Sequence, residues 1–331
     1  MEFFFHFSTT CAIFTTKELK MKNLWLYILI CVGVCSCKNT TKEGANQLLR
    51  SGVVVLGIAQ DAGFPQADCK KDCCKLAWKT PDLRRHATCL ALFDSLKNQF
   101  WLFDATPDIK FQMNHFQQLA PDAQMVGIFL THAHVGHYTG LMHLGHEVMG
   151  AKNLPVFAMP RMRTFLSENG PWSQLVDFKN IELQNLSADT TINLNERFSV
   201  SPFRVPHRDE FSETVGYKIS TPEKSYLFIP DIDKWHLWQR NIIEEIAKVD
   251  VAFLDGSFFK NGEIPGRDMS QIPHPFVEES MKILENLSES EKAKVHFIHF
   301  NHTNPALQAN SEARKEILGK GFKISEEGDV Y

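Results

Sequence analysis

Short apolar runs recur along the chain from residue 53 onward, separated by polar stretches or by segments with helical periodicity. Residues 53–58, 89–93 and 100–103 are unbroken hydrophobic runs rich in Val, Leu and Phe, the pattern of strands buried on both faces. Residues 125–131 and 156–158 extend this set, and 198–205, 216–219, 226–229, 251–254 and 295–300 form a second one. Between them, 108–118, 139–149, 237–247, 275–287 and 305–318 read as helices. Two strand sets flanked by helices predict an α/β four-layer αββα sandwich rather than a doubly wound sheet. No repeat or long linker interrupts it, so residues 51–331 are expected to form one domain.

The N-terminus departs from this pattern. Lys17, Lys20 and Lys22 precede an apolar run over 24–34. That run is too short to span a bilayer, which takes about 20 apolar residues, and it reads as the core of a secretory signal. Val34-Cys35-Ser36-Cys37 then resembles a bacterial lipobox with Cys37 as the lipidated residue. Residues 1–37 are accordingly expected to be a signal peptide, starting at Met1 or Met21, and 38–50 a polar tether. The expected location is the periplasm or outer membrane, with membrane contact only through the lipid.

Composition narrows the partners. The chain has 331 residues, 44% hydrophobic and 22% charged, with a net charge of -4. It lacks the basic balance that a phosphate backbone demands, so a small-molecule substrate is expected and nucleic acid is not; oligomeric state is not legible. Of eight cysteines, Cys69, Cys73, Cys74 and Cys89 lie beyond the leader. Cys69, Cys73 and Cys74 cluster in what reads as a polar loop, and fit either a disulfide or a zinc knot. Cys89, in an apolar run, reads as a small core residue.

The chemistry concentrates in His132-Ala133-His134-Val135-Gly136-His137, at the end of an apolar run. Three imidazoles within six residues give the density of nitrogen donors that Zn²⁺ or Fe²⁺ needs. Further candidates end other predicted strands, namely Asp104, His207, Asp231 and His299, so rigid elements would carry them to one site. The remaining histidines, among them His86 and His296, read as core or surface residues.

This order resembles the metallo-β-lactamase-fold family, whose hallmark is His-x-His-x-Asp-His followed by a later His, Asp and His. Val205-Pro206-His207 with Val215-Gly216-Tyr217 is similar to the ribonuclease Z and cyclic-phosphodiesterase branch. Gly63-Phe64-Pro65-Gln66, Asp104-Ala105-Thr106-Pro107-Asp108-Ile109, Phe253-Leu254-Asp255-Gly256-Ser257 and Asn301-His302-Thr303-Asn304-Pro305 resemble the coenzyme PQQ synthesis protein B family. The resemblance implies one metal held by His132, His134 and His207, and a second held by His137 and His299, with Asp231 bridging. It also implies a structural zinc on Cys69, Cys73, Cys74 and His302, one of the adjacent cysteines being a bystander. Asp104 would support the motif by hydrogen bonds rather than bind metal.

Gly136 stands where the complete motif carries an aspartate, which implies a weakened second site. Asp61, Asp209, Asp233 and Asp255 could replace it as ligand or general base, Asp255 first because it ends a strand; His274 could serve as proton donor. The leading expectation is a Zn²⁺-dependent hydrolase in which metal-bound hydroxide attacks an ester or phosphodiester. The alternatives are an Fe²⁺-dependent oxygenase related to quinone-cofactor synthesis and a non-catalytic metal-binding lipoprotein. Specificity is expected in loops over 159–175 and 260–272.

Overall fold

The computed structural model describes residues 49–331. The leader, the lipobox with Cys37 and all but the last two residues of the tether lie outside the described residues. Six strands form the first sheet in chain order: β1 (Gly52–Gly57), β2 (Cys89–Asp94), β3 (Gln99–Phe103), β4 (Gln124–Phe129), β5 (Leu154–Ala158) and β6 (Ile181–Asn185). Seven form the second: β7 (Ile192–Asn193), β8 (Ser199–Arg204), β9 (Val215–Ser220), β10 (Ser225–Ile229), β11 (Val251–Asp255), β12 (Val295–Ile298) and β13 (Lys323–Ile324). Each sheet is mixed. Pairing is parallel from β3 through β6 and again from β10 through β13, and antiparallel elsewhere.

Alternation explains why β1 reads as an unbroken apolar run. Val53 and Val55 join the core that includes the second sheet, while Val54 and Leu56 join the cluster containing Ile109, Phe116, Met162 and Leu166 from the helices Ile109–Leu119 and Pro160–Glu168. Phe103 of β3 meets Tyr217 and Phe228 across the interface, with ring centroids 5.3 and 6.2 Å apart. On the far side of the second sheet, Ile242, Ile246, Val277, Met281 and Ile317 supply the fourth layer. The molecule is an αββα sandwich. Among the described residues no helix is long and apolar enough to cross a membrane.

Several expected helices come out shorter. The segment 139–149 is a 3₁₀ stretch at Thr139–Leu144, because Gly140 packs its backbone against Ala105 and Gly145 and Gly150 disfavour helix propagation. The segment 237–247 restarts at Ile242 under an Asn241 cap, and 305–318 restarts at Glu312 under a Ser311 cap. Residues 159–175 are not a loop: Pro160 opens one helix, with Met162 and Leu166 buried four apart, and Trp172–Asp177 forms another. Residues 260–272 carry a single 3₁₀ turn, Met269–Gln271.

The second sheet also contains a pH-sensitive element. His296 Nδ1 of β12 lies 2.9 Å from Tyr331 Oη, whose proton goes to Asp329, and the imidazole packs edge-on against that ring. Burial, then Lys323, pushes the imidazole down to about 4 from 6.5. The folded chain therefore binds fewer protons here than the unfolded one between those pH values. The contribution is complete above pH 6.5 and is lost as pH falls through about 4. His296→Phe, which keeps an aromatic ring, is expected to lose less melting temperature than the wild type between pH 7 and pH 4.5. Equal losses would show that His296 does not titrate in this way.

Candidate metal centre

Strand ends deliver the polar side chains. Asp104 follows β3, His132 follows β4, His207 follows β8, Asp231 follows β10, Asp255 ends β11 and His299 follows β12. Parallel pairing of β3 with β4, and of β10, β11 and β12, sets their C-terminal ends side by side, where an α/β fold opens its site. Asp104 and His299 both hold a left-handed backbone, with φ of 71° and 67°. Such strain persists where surrounding bonds over-determine it. Asp104 donates its N–H to Phe129 at 2.8 Å and accepts from the Thr131 N–H at 2.8 Å.

The motif histidines fall into two donor sets that meet at Asp231, and Asp231 also groups with Asp255 and His274. His132, His134, His207 and Asp231 form one, and Asp61, His137 and His299 the other. Asp231 Oδ2 lies 3.3 Å from His132 Nε2 and 3.8 Å from His137 Nε2, and its Oδ1 lies 3.3 Å from His207 Nε2. In the second set, His137 Nε2 is 3.3 Å from His299 Nε2 and 3.3 Å from Asp61 Oδ1. Nitrogen ligands on tetrahedral zinc stand about 3.4 Å apart, so these spacings suit a cation among them.

The other nitrogen of each ring is held in place. His137 Nδ1 faces Asp104 Oδ2 at 2.7 Å, His207 Nδ1 faces Asp233 Oδ1 at 3.0 Å, and His299 Nδ1 faces Ser257 Oγ at 3.0 Å. Thr131 Oγ1 donates to Asp104 and is left to accept from His132 Nδ1 at 3.0 Å. His134 is reversed: Nε2 faces Glu210 at 3.1 Å, which turns Nδ1 inward, 2.8 Å from His132 Nε2 and 3.3 Å from His207 Nε2. Such outer partners fix each ring and leave one lone pair for a metal. Glu210, Thr131 and Ser257 were not foreseen, since only the folded chain brings them to the rings.

The electrostatics are those of buried carboxylates in need of positive charge. Burial pushes Asp231 up, but His207 and His274 outweigh it and hold the carboxyl well below the usual range. Burial likewise opposes ionisation of Asp61, and His137 and His299 overcome it. His132 and His134 are pushed down, chiefly by burial. Within this centre two oxygens are left buried without a hydrogen bond: Asp61 Oδ1 and Asp231 Oδ1. An orphaned buried acceptor costs roughly 1–3 kcal/mol, more when charged, and a dication among the facing nitrogens would satisfy both. The residues fit a divalent metal.

Two expectations about carboxylates change. Asp255 does not fill the place left by Gly136. It is fully buried, accepts from the Ile232 and Ser257 N–H groups, and faces His274 Nδ1 at 2.8 Å, grouping with His274 and Asp231 rather than with His137 and His299. Asp209 accepts from Thr214 Oγ1 at 2.9 Å, and Asp233 holds His207. The carboxylate beside His137 and His299 is Asp61, from the loop after β1.

Cys69 lies in the loop expected for the cluster, Cys73 and Cys74 do not, and no disulfide joins them. Cys73 and Cys74 open the helix Asp72–Lys79, and all four described cysteines are free. Cys69 Sγ is 3.8 Å from Cys73 Sγ, which is 3.9 Å from Cys74 Sγ, and His302 Nδ1 is 3.7 and 3.3 Å from the Cys73 and Cys74 sulfurs. Sulfurs on tetrahedral zinc stand about 3.8 Å apart, against about 2 Å in a disulfide. Both adjacent cysteines lie within reach of one ion together with Cys69 and His302. Burial, then the neighbouring sulfurs, pushes Cys74 up to about 12, so three thiolates would gather here only around a cation.

Donor sets of this kind at the strand ends of an αββα sandwich define a metal-dependent enzyme fold. The model of the beta-lactamase superfamily domain matches residues 101–300, and the chain belongs to that superfamily. It is 25% identical over 302 residues to coenzyme PQQ synthesis protein B of Rhizobium meliloti (strain 1021), covering 83% of this chain and 96% of that protein. The crystal structure of Zn(2+)-bound PqqB from Methylobacterium extorquens superposes with a TM-score of 0.71 at 22% identity, over 84% of this chain and 99% of that one. A diphosphatase from the PhnP family gives 0.59 at 21% identity, over 86% and 97%.

The cysteine cluster supplies its own check. Replacing Cys69 by Ser is expected to remove one zinc per chain, read by elemental analysis, and to lower the melting temperature. Unchanged zinc and stability would show that the cluster holds no metal.

Proposed function

We propose that the protein is a hydrolase of ester or phosphodiester bonds, working through a pair of divalent metals. The observation that carries this is Asp231, whose buried carboxylate lies within 3.8 Å of imidazole nitrogens from both donor sets. Metal bound here supplies Lewis acidity and lowers the pKa of a coordinated water toward about 7. The chain's own part is positioning. His132, His134 and His207 would hold one ion, and Asp231 stands where it could contribute to both. Asp255 orients His274, which lies 3.2 Å from Asp231 Oδ1 with its ring between those of His207 and His299. We assign His274 the delivery of a proton to the leaving oxygen.

A second reading rests on Asp61, His137 and His299. Two imidazoles and one carboxylate are the facial set that non-haem Fe(II) oxygenases use. With the similarity to the PQQ synthesis proteins, it supports an iron-dependent oxidation.

One experiment separates them. Protein purified without oxygen is analysed for metal, then assayed for bis(p-nitrophenyl) phosphate hydrolysis and for oxygen uptake. Hydrolysis that falls about 10- to 100-fold in Asp233→Asn, which loosens His207, supports the first reading. Iron with oxygen uptake and no hydrolysis supports the second. Metal bound without either reaction would favour a binding protein and overturn both.

A further inference from the structure

Gly136 and Asp61 form one steric unit. A Cβ built on Gly136 would overlap the Cα of Asp61 and stand 2.5 Å from Asp61 Oδ1 and 2.8 Å from Asp61 Cβ. No side chain at 136 can coexist with the Asp61 loop as it stands, since real Cβ contacts essentially never fall below 3.0 Å. The space that an aspartate at 136 would use is therefore filled, and it is filled by another aspartate.

The loop has little freedom to withdraw. The Ile58 carbonyl accepts from the Phe300 N–H at 2.8 Å, and the Gln60 N–H donates to the Phe300 carbonyl at 2.8 Å. Asn301 Nδ2 donates to Gln60 Oε1 at 2.6 Å. Asp61 is thus tied to the segment that presents His299, and their relative placement is set by backbone bonds on both sides. Gly63 closes the turn at φ 73°, with its N–H on the Gln60 carbonyl at 2.9 Å.

Asp61 Oδ1 then lies 3.3 Å from His137 Nε2 and 3.8 Å from His299 Nε2, buried and without a hydrogen bond. An acceptor held this firmly with no donor is the arrangement of a ligand awaiting a cation.

We propose that Asp61 is the carboxylate ligand of the second metal, moved from position 136 to the loop after β1, and that Gly136 is required because any side chain there would displace it. Gly136 is then a condition of the second site, not its defect. The inference rests on the two-metal reading above and adds which residue completes it.

The test counts metal in the histidine centre. Wild type, Asp61→Asn and Gly136→Ala are loaded with cobalt, and bound metal is read by elemental analysis and by the d–d spectrum. The thiolate-to-cobalt charge-transfer band and a thermal melt report folding independently. Two ions in the histidine centre of the wild type and one in each variant are expected. Gly136→Ala is the discriminating case, because it removes no donor and adds only a methyl group. If the wild type holds two and the folded variants also hold two, the Asp61 assignment fails while the two-metal reading stands. If the wild type holds only one, the two-metal reading fails and the assignment with it.

Discussion

The structure turns on the burial of carboxylates that cannot remain charged alone. Asp231 is 3% exposed and its Oδ1 has no hydrogen bond, yet five imidazoles and a second orphaned carboxylate crowd around it. A charge in such a place must be matched by protons or by a metal. Much of the surrounding architecture follows from that demand. The strained turns at Asp104 and His299, the reversed ring of His134 on Glu210, and the carboxylates behind His137, His207 and His274 all aim or hold groups around that charge.

The sandwich supplies the rigidity that this arrangement needs. Each candidate ligand stands within three residues of a strand end except His134 and His137, which continue from His132 into the turn Val135–Tyr138, and Asp61, whose loop is bonded to Phe300. Strands β3, β4, β9 and β10 are fixed by an interior in which Phe103, Phe129, Tyr217 and Phe228 pack ring against ring. Aromatic cores of this kind resist small displacements, and metal geometry tolerates few.

How much of this was legible in the chain depends on how local each signal is. Unbroken apolar runs showed the strands, because both faces are buried, and the clustered histidines stood out through spacing alone. Helix ends were misjudged where a cap such as Asn241 or Ser311 restarts a helix within an apparently continuous pattern. Asp61 was one of four carboxylates named, but Asp255 was preferred for ending a strand. What separates them is long-range: whether residue 136 has room for a Cβ depends on a loop 75 residues earlier in the chain. Glu210 and Ser257 were invisible for the same reason.

The central claim is that one centre binds two ions with Asp231 between them. Anomalous diffraction from crystals of the metal-loaded protein, measured at the zinc and iron absorption edges, tests it most directly. The account predicts two peaks about 3.5–4 Å apart. One should lie about 2 Å from His132 Nε2, His134 Nδ1 and His207 Nε2, the other about 2 Å from Asp61 Oδ1, His137 Nε2 and His299 Nε2, with Asp231 touching both. A single peak in the histidine centre, or two peaks with Asp231 bound to neither or to one alone, would contradict it.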